Sequence, residues 1–174
     1  QEVTPEQRRI AKVINFGIMY GMSGFRLAPE LGIARAKADQ FIEAYFEKYS
    51  HIKEFIQATS REVESTEKVR TILGRERRIP GINSKNRTEK MGAERIAVNT
   101  PIQGSAADIV KLAMLTIASR LHRQNVQSRL LLQVHDELIF EVEAAEKEIM
   151  VALVREEMEN AIELEVPLKV SVEL

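Results

Sequence analysis

Apolar residues recur at intervals of three and four over the first third of the chain, a spacing that predicts consecutive amphipathic helices. Thr4-Pro5-Glu6-Gln7 has the form of a capping box with proline at the first helical position, so a first helix should begin there and end near Gly21–Gly24. A short helix is expected around Arg26–Leu31. Longer helices are expected over Ala34–Tyr49 and from His51 to about Glu64.

After residue 66 the pattern changes to short β-prone segments that alternate with helices. The segment Val69–Ile82 combines β-branched residues with glycine and proline, and it predicts a small basic hairpin or loop. A helix should cover about Asn86–Asn99, and Thr100-Pro101 should bend or break it, because the residue before proline is pushed out of the α region. A further helix should begin at Ser105–Asp108 and reach about Leu121.

The last 50 residues hold the strongest β signal. Two strand-like runs, Ser128–Val134 and Glu137–Val142, flank His135-Asp136, and an amphipathic helix should follow over about Ala145–Ala161. Pro167–Leu174 alternates apolar and polar residues and should form a third strand. Together these elements predict an α+β fold, with a helical subdomain over residues 1–66 and part of an antiparallel sheet with packed helices over residues 67–174.

Charge adds a strong polarity to this picture. The net charge is only −1, but residues 67–90 contain eight lysines or arginines against three glutamates. Residues 141–174 contain ten glutamates against three lysines or arginines. Such asymmetry favours a face that meets a polyanion, and ordinary solvated surface charge is the alternative. The length of 174 residues suits one domain or two packed subdomains.

Composition also excludes some classes of protein. The chain has no cysteine, which excludes disulfides and thiolate metal sites. No apolar run approaches the roughly 20 residues of a membrane span. The first four residues lack the basic and apolar regions of a signal peptide. We therefore expect a cytoplasmic protein with no membrane partner.

The first predicted helix carries a stripe of two cations followed by two aromatic rings. Arg8, Lys12, Phe16 and Tyr20 are spaced by four, and each step of four drifts only about 40° around a helix. Cations near a helix N-terminus are locally unfavourable unless an anion lies there. A nucleotide along the helix would satisfy both features, with phosphates at the cations and the nucleoside at the rings. An ordinary surface stripe with half-buried rings is the alternative.

The same helix resembles a known motif. Residues 8–21, RRIAKVINFGIMYG, match all eight specified positions of motif B of the family A DNA polymerases, the bacterial DNA polymerase I type. The resemblance implies a fingers helix that closes over an incoming deoxynucleoside triphosphate (dNTP). It implies that Arg8 and Lys12 contact the triphosphate, with Lys12 the candidate general acid for the leaving pyrophosphate. Phe16 would pack on the sugar, and Tyr20 would stack near the templating position.

The second candidate site lies between the two strand-like runs, at residues 133–137 (QVHDE). Asp136 would be exposed by a tight turn, and Asp is a hard oxygen ligand suited to Mg²⁺. One alternative is that Asp136 only forms the turn. Another is a His-Asp phosphohydrolase, which needs further ligands, whereas the chain has only His51 and His122 besides His135.

Residues 133–137 resemble motif C of the same polymerase family. The resemblance implies that Asp136 binds the catalytic metal ions. It implies a weaker or water-mediated role for Glu137, and a contact of His135 with the backbone at the primer terminus.

A third resemblance covers residues 94–108, which are similar to the palm helix of this family. It implies that Arg95, Asn99 and Gln103 contact template or primer near the newly formed base pair, and an amide-rich helix break is the alternative. Arg77 also occupies a position typical of the family. Six basic residues would contact phosphates: Arg70, Arg75, Arg77, Arg78, Lys85 and Arg87.

The three resemblances imply template-directed DNA synthesis, in which two Mg²⁺ ions assist transfer of a deoxynucleotide from dNTP to a primer 3′-hydroxyl. Primer-template DNA and dNTP would be the partners, in replication or repair at the nucleoid. Residues 1–66 would belong to the fingers and residues 67–174 to the palm. No stretch like DYSQIE of motif A, which carries the other metal-binding Asp, occurs in the chain.

Without that carboxylate we expect the chain alone to be inactive. An exposed sheet edge and apolar surface should also make it self-associate. The alternative function is a non-catalytic nucleic-acid-binding module of polymerase ancestry.

Overall fold

The first helix begins where the sequence predicts it. Gln7 N donates to Thr4 Oγ1 at 3.2 Å and Thr4 N donates to Gln7 Oε1 at 2.9 Å, which completes the capping box of α1 (Pro5–Met19). The computed structural model describes residues 3–174, so the first two residues of the predicted fingers segment, Gln1 and Glu2, lie outside the described residues. The three expected helices follow: α2 (Gly24–Leu31), α3 (Arg35–Lys48) and α4 (Ser50–Thr66).

Helices α1, α2 and α3 share a small apolar core. Leu27, Ala28 and Ala38 are buried at its centre. Partly buried apolar residues surround them: Val13, Ile14, Met22, Leu31, Ile33 and Ile42. The core therefore receives the apolar side of α1 and leaves its other side to solvent.

The basic segment forms the predicted hairpin. Strands β1 (Lys68–Arg70) and β2 (Glu76–Arg78) pair antiparallel, with Val69 opposite Arg77. The hairpin is anchored in a second core of buried apolar residues: Val63, Val69, Ile79, Ile82, Ala93 and Ala97. Burial of Val69 and Ile79 on this core fixes which side of the hairpin faces solvent.

Of the bend or break predicted at Thr100-Pro101, the break is wrong, because α5 is continuous from Arg87 to Arg123. Proline inside a helix costs about 3 kcal/mol and removes one backbone donor. Thr100 Oγ1 donates to Ile96 O at 2.6 Å, which adds a bond beside the proline. Ala97, before the proline, is buried in one apolar core, and Ala113, after it, is buried in another. Packing therefore stabilises the helical conformation on each side of the proline. Packing thus overrides the local preference.

Contacts within the chain group it into two units that divide at this proline, Gln1–Pro101 and Ile102–Leu174. The predicted boundary between fingers and palm at residues 66 and 67 stays a prediction. Both units combine helices with a two-stranded antiparallel sheet, so the predicted α+β class is confirmed. None of the described helices has the length and hydropathy that crossing a membrane requires.

The second unit holds the predicted hairpin and C-terminal helix. Strands β3 (Arg129–Val134) and β4 (Glu137–Glu141) pair antiparallel, with a shift of register between Leu130 and Leu132. A 3₁₀ turn over Ala144–Glu146 leads into α6 (Lys147–Glu159). Helices α5 and α6 enclose a core of six buried residues: Ala113, Ile117, Leu121, Met150, Leu153 and Val154.

The predicted third strand is wrong, since residues 167–174 form no strand. Leu168, Val170 and Val172 are half-buried in alternation, as the pattern predicts. However, Val170 N donates to the Glu159 carboxylate at 3.0 Å instead of joining a ladder. An extended segment becomes a strand only when a neighbouring edge pairs with its backbone.

Candidate active site

The cation and ring stripe of α1 lies on the exposed side of the helix. Arg8 and Lys12 are exposed, Phe16 retains 46% of its accessible surface, and Tyr20 is half-buried at the C-cap. The rings of Phe16 and Tyr20 are stacked, with centroids 6.1 Å apart and planes 20° from parallel. The stripe therefore presents two positive charges and then a flat apolar surface in one direction.

The opposite side of α1 fixes this orientation. Ile18 is buried, and Gly17 allows a close approach by Met22, whose Sδ would lie only 2.9 Å from a β-carbon at position 17. Met22 N also donates to Gly17 O at 2.8 Å, which closes the helix end. A side chain at position 17 would force the end of the Met22 side chain to move.

The three cations of α1 have different partners. Arg9 donates to Glu6 at 2.8 Å, an ion pair that lowers the pKa of Glu6. The side chains of Arg8 and Lys12 form no ion pair or hydrogen bond with any residue in the range 3–174. Arg8 lies near the N-terminus of the helix, where the dipole adds positive potential, and Lys12 lies at the middle of the helix. This arrangement leaves Arg8 and Lys12 free to bind an external anion.

Helix α5 meets the end of α1 in the first unit. Gly21 has a positive φ of 73°, and a β-carbon there would lie 3.4 Å from Arg95 Cγ. The aliphatic part of Arg95 thus packs beside the residue that follows Tyr20. The structure therefore places one predicted DNA-contacting residue next to the ring end of the stripe.

The other predicted DNA contacts are distributed along α5 and the hairpins. Asn99 is half-buried, and its Oδ1 is shielded from solvent without a hydrogen-bond partner within the described part of the chain. Arg77 Nη1 donates to Thr100 Oγ1 at 3.2 Å, one residue further along α5. Gln103 is exposed and lies in the second unit.

A tight turn joins β3 to β4 and carries the predicted metal ligand. Val134 pairs with Glu137, so His135 and Asp136 form a two-residue loop. His135 has a φ of 55°, in the left-handed region that non-glycine residues seldom adopt. The Gln133 side chain donates to His135 O at 2.7 Å and braces this conformation. His135, Asp136 and Glu137 are all exposed.

The donor set of this turn fits Mg²⁺ as part of a larger site. Asp136 and Glu137 offer adjacent exposed carboxylates, and Mg²⁺ is usually held by one or two carboxylates together with substrate phosphates. Over residues 3–174 no group of three or more His, Asp or Glu side chains comes together as a metal cage. The turn can therefore supply some ligands of a metal ion, and others must come from elsewhere.

Sequence reasoning missed a hydrogen-bonded clamp at the far end of this hairpin. The Glu146 carboxylate accepts from Gln127 N at 2.9 Å, Ser128 N at 2.8 Å and Ser128 Oγ at 2.6 Å. These donors, the Gln127 amide first, lower the pKa of Glu146. Ser128 is buried, and its Oγ accepts from Glu143 N at 3.1 Å. No local spacing predicts this clamp, because its partners are 18 or 19 residues apart.

Comparison with known proteins agrees with these elements. The model of DNA polymerase family A matches residues 1–174. The chain belongs to DNA polymerase family A. The DNA polymerase I of Bacillus caldotenax is 50% identical over 169 residues, which are 97% of this chain and 19% of that protein. The DNA polymerase I of Treponema pallidum (strain Nichols) is 49% identical over 172 residues, which are 99% of this chain and 17% of that protein.

A solved structure supports the same family A assignment. The POL domain of Pol1 from M. smegmatis, in complex with DNA primer-template and dNTP, is similar with a TM-score of 0.93 and 43% sequence identity. The similarity covers 98% of this chain and 30% of that chain. The chain thus spans less than a quarter of the length of the two curated relatives above.

Proposed function

We propose that this chain is the nucleotide-binding and motif C part of an enzyme for template-directed DNA synthesis. The observation that carries the proposal is the exposed stripe of α1, in which Arg8 and Lys12 lack side-chain partners within residues 3–174 and precede two stacked rings. The M. smegmatis relative, with 43% identity, was solved with DNA primer-template and dNTP. These ligands have the chemistry that the stripe fits.

The proposed roles along α1 follow the order of groups in a nucleotide. Arg8 and Lys12 bind the triphosphate, since fixed cations stabilise the charge that develops on phosphoryl oxygens. Lys12 is also the proposed general acid for the leaving pyrophosphate. Phe16 packs on the sugar, and Tyr20 stacks beside the templating position.

The proposed role of Asp136 is to hold Mg²⁺, with Glu137 acting weakly or through water. Two bound Mg²⁺ ions would supply activation of the primer 3′-hydroxyl and stabilisation of the leaving group. Such a site needs carboxylates on both sides of the ions, and the chain contains no stretch like motif A. We therefore infer that the intact enzyme incorporates nucleotides and that the 174-residue chain alone does not.

DNA contacts complete the proposal. Arg77, Arg95, Asn99 and Gln103 contact the primer-template near the new pair, and His135 touches the backbone at the primer terminus. Amide side chains can donate to minor-groove acceptors, whose positions are nearly the same for every base pair. The contacts would sense the shape of the pair without reading sequence. The intact enzyme would act in the cytoplasm, on DNA of the nucleoid.

The test compares Asp136→Asn with Glu148→Gln, a matched loss of one carboxylate on α6, both in the intact polymerase. We expect Asp136→Asn to abolish Mg²⁺-dependent primer extension and to keep primer-template affinity, while Glu148→Gln changes neither. Near-normal turnover by Asp136→Asn refutes the metal assignment. Robust extension by the isolated chain refutes the inference that it is inactive. If the protein bound DNA and replacement of Lys12 left its affinity for dNTP unchanged, a non-catalytic nucleic-acid-binding module would be indicated instead.

A further inference from the structure

The β1–β2 hairpin has one face in the core and one in solvent. Val69 is buried, and its cross-strand partner Arg77 lies on the same side, where it bonds Thr100 of α5. Side chains alternate along a strand, so the neighbouring residues point the other way. This outer face consists of two cross-strand pairs: Lys68 with Arg78, and Arg70 with Glu76.

The hairpin is held firmly from both ends. Thr71 is buried, its N–H donates to Arg75 O at 3.0 Å, and its Oγ1 accepts from Arg75 N at 3.1 Å. At the open end, Ile79 N donates to Glu67 O at 2.9 Å and extends the ladder. The outer face is therefore ordered before any partner arrives, which reduces the entropy lost on binding.

Glu76 draws two cations of the outer face towards one point. Its carboxylate accepts from Lys68 Nζ at 2.8 Å and from Arg70 Nη2 at 2.7 Å. These two bonds, that of Lys68 first, lower the pKa of Glu76. All three side chains keep more than a third of their surface in solvent, and exposed ion pairs contribute little stability. Another anion could therefore replace the carboxylate at small cost.

We propose that the outer face of the β1–β2 hairpin binds the sugar–phosphate backbone of DNA, and that Glu76 occupies the place of a phosphate until DNA arrives. The face has three cations to one carboxylate, and the hairpin tip exposes Ile72 and Leu73 for apolar contact with sugars. Each strand of duplex DNA carries one phosphate per about 3.4 Å of helix axis, so one backbone can contact several cations together. A backbone phosphate, like a carboxylate, accepts bidentate charge-assisted hydrogen bonds from arginine. The inference rests on the proposed function in DNA synthesis.

The experiment measures the affinity of the 174-residue chain for a fluorescent primer-template over a range of salt concentrations. Glu76→Gln should bind about five-fold more tightly at low salt, equivalent to about 1 kcal/mol. The slope of log K against log salt should be steeper for this variant by up to about 0.9. In the wild type, the carboxylate that DNA displaces takes up a counterion, whereas the amide of the variant does not. Arg70→Gln should bind more weakly, with a slope shallower by about 0.9.

The matched control is Glu141→Gln, which removes one carboxylate from the exposed Arg129–Glu141 pair of the other hairpin. It should leave the slope unchanged, and circular dichroism melting should show every variant folded. Equal effects of Glu76→Gln and Glu141→Gln would reveal a general charge effect and overturn the inference. Unchanged binding by Glu76→Gln and Arg70→Gln would overturn it while sparing the proposed function.

Two further outcomes bear on the identity of the partner. Absence of any DNA binding by the wild-type chain would overturn both the DNA contacts of the proposed function and the hairpin surface. Vesicles of phosphatidylserine test a membrane as the partner. If Glu76→Gln tightened binding to these vesicles and not to DNA, the outer face would be a lipid-binding surface and the inference would be wrong.

Discussion

The Phe16 and Tyr20 rings stack with 6.1 Å between their centroids, one helical turn apart on the exposed side of α1. Phe16 packs against the ring of Tyr20 and leaves 46% of its surface exposed to solvent. A group that binds along the stripe from Lys12 towards Tyr20 must pass over this ring. If a nucleotide binds with its phosphates at Lys12 and its base near Tyr20, as proposed above, Phe16 would contact the sugar between them.

The resemblance of α1 to motif B implies that Phe16 disfavours dideoxynucleotides in the intact polymerase. Phe16→Tyr adds a hydroxyl where a dideoxynucleotide lacks one, so preference for dNTP over dideoxynucleotide should fall at least about ten-fold, or about 1.4 kcal/mol. Single-nucleotide incorporation kinetics measure the ratio. Phe41→Tyr, a similarly exposed ring on α3, is the control and should change nothing. Unchanged discrimination by Phe16→Tyr would remove Phe16 from the sugar.

The Glu146 clamp predicts a pH-dependent contribution to stability. Its pKa is lowered in the folded state, so the clamp stabilises fully above the unfolded value of 4.5 and loses its effect as pH falls through the folded pKa. Glu146→Gln keeps an acceptor but removes the charge. It should melt at a lower temperature than wild type at neutral pH and at the same temperature well below pH 4.5.

Thermal melting of the 174-residue chain between neutral and acidic pH checks this expectation. Glu148→Gln, two residues along, is the control because its carboxylate is exposed on α6. If the difference in melting temperature between wild type and Glu146→Gln were the same at neutral and at acidic pH, the charge of Glu146 would not contribute to stability through its hydrogen bonds.

The solvent face of the β3–β4 hairpin predicts self-association of the isolated chain. Leu132 and Ile139 are cross-strand partners and half-exposed, and Leu131 and Val134 are exposed beside them. Contiguous apolar surface beside free strand edges favours pairing between copies. Sedimentation velocity should show association that rises with concentration and is reduced by Leu132→Lys with Ile139→Lys.

Leu115→Lys provides the control, because Leu115 is even more exposed but lies on α5. It should leave association unchanged. A chain that stays monomeric at every concentration, or that responds equally to Leu115→Lys, would contradict a role for the hairpin face.

Much of the fold could be predicted from local patterns. The capping box at Thr4, the four N-terminal helices and both hairpins follow from spacing, turn residues and helix signals that act over a few residues. The exposed stripe of α1 follows from the same periodicity. Local signals succeed at these positions because the packing observed in the structure agrees with them.

The errors arise where distant contacts oppose or replace a local signal. At Pro101 the apolar packing of α5 outweighs the preference for a break. At residues 167–174 the alternation is present, but within the described chain no edge pairs with the segment. The Glu146 clamp joins residues 18 or 19 positions apart, and spacing alone does not reveal such a contact.

The most direct test of the stripe is the effect of Lys12→Ala on chemistry and on DNA binding in the intact polymerase. The matched control is Lys37→Ala, an exposed lysine on α3. We expect Lys12→Ala to slow single-turnover incorporation by about 10² to 10⁴-fold and to change primer-template affinity less than about two-fold, while Lys37→Ala changes neither. An incorporation rate near wild type, or a loss that follows entirely from weaker DNA binding, would contradict it.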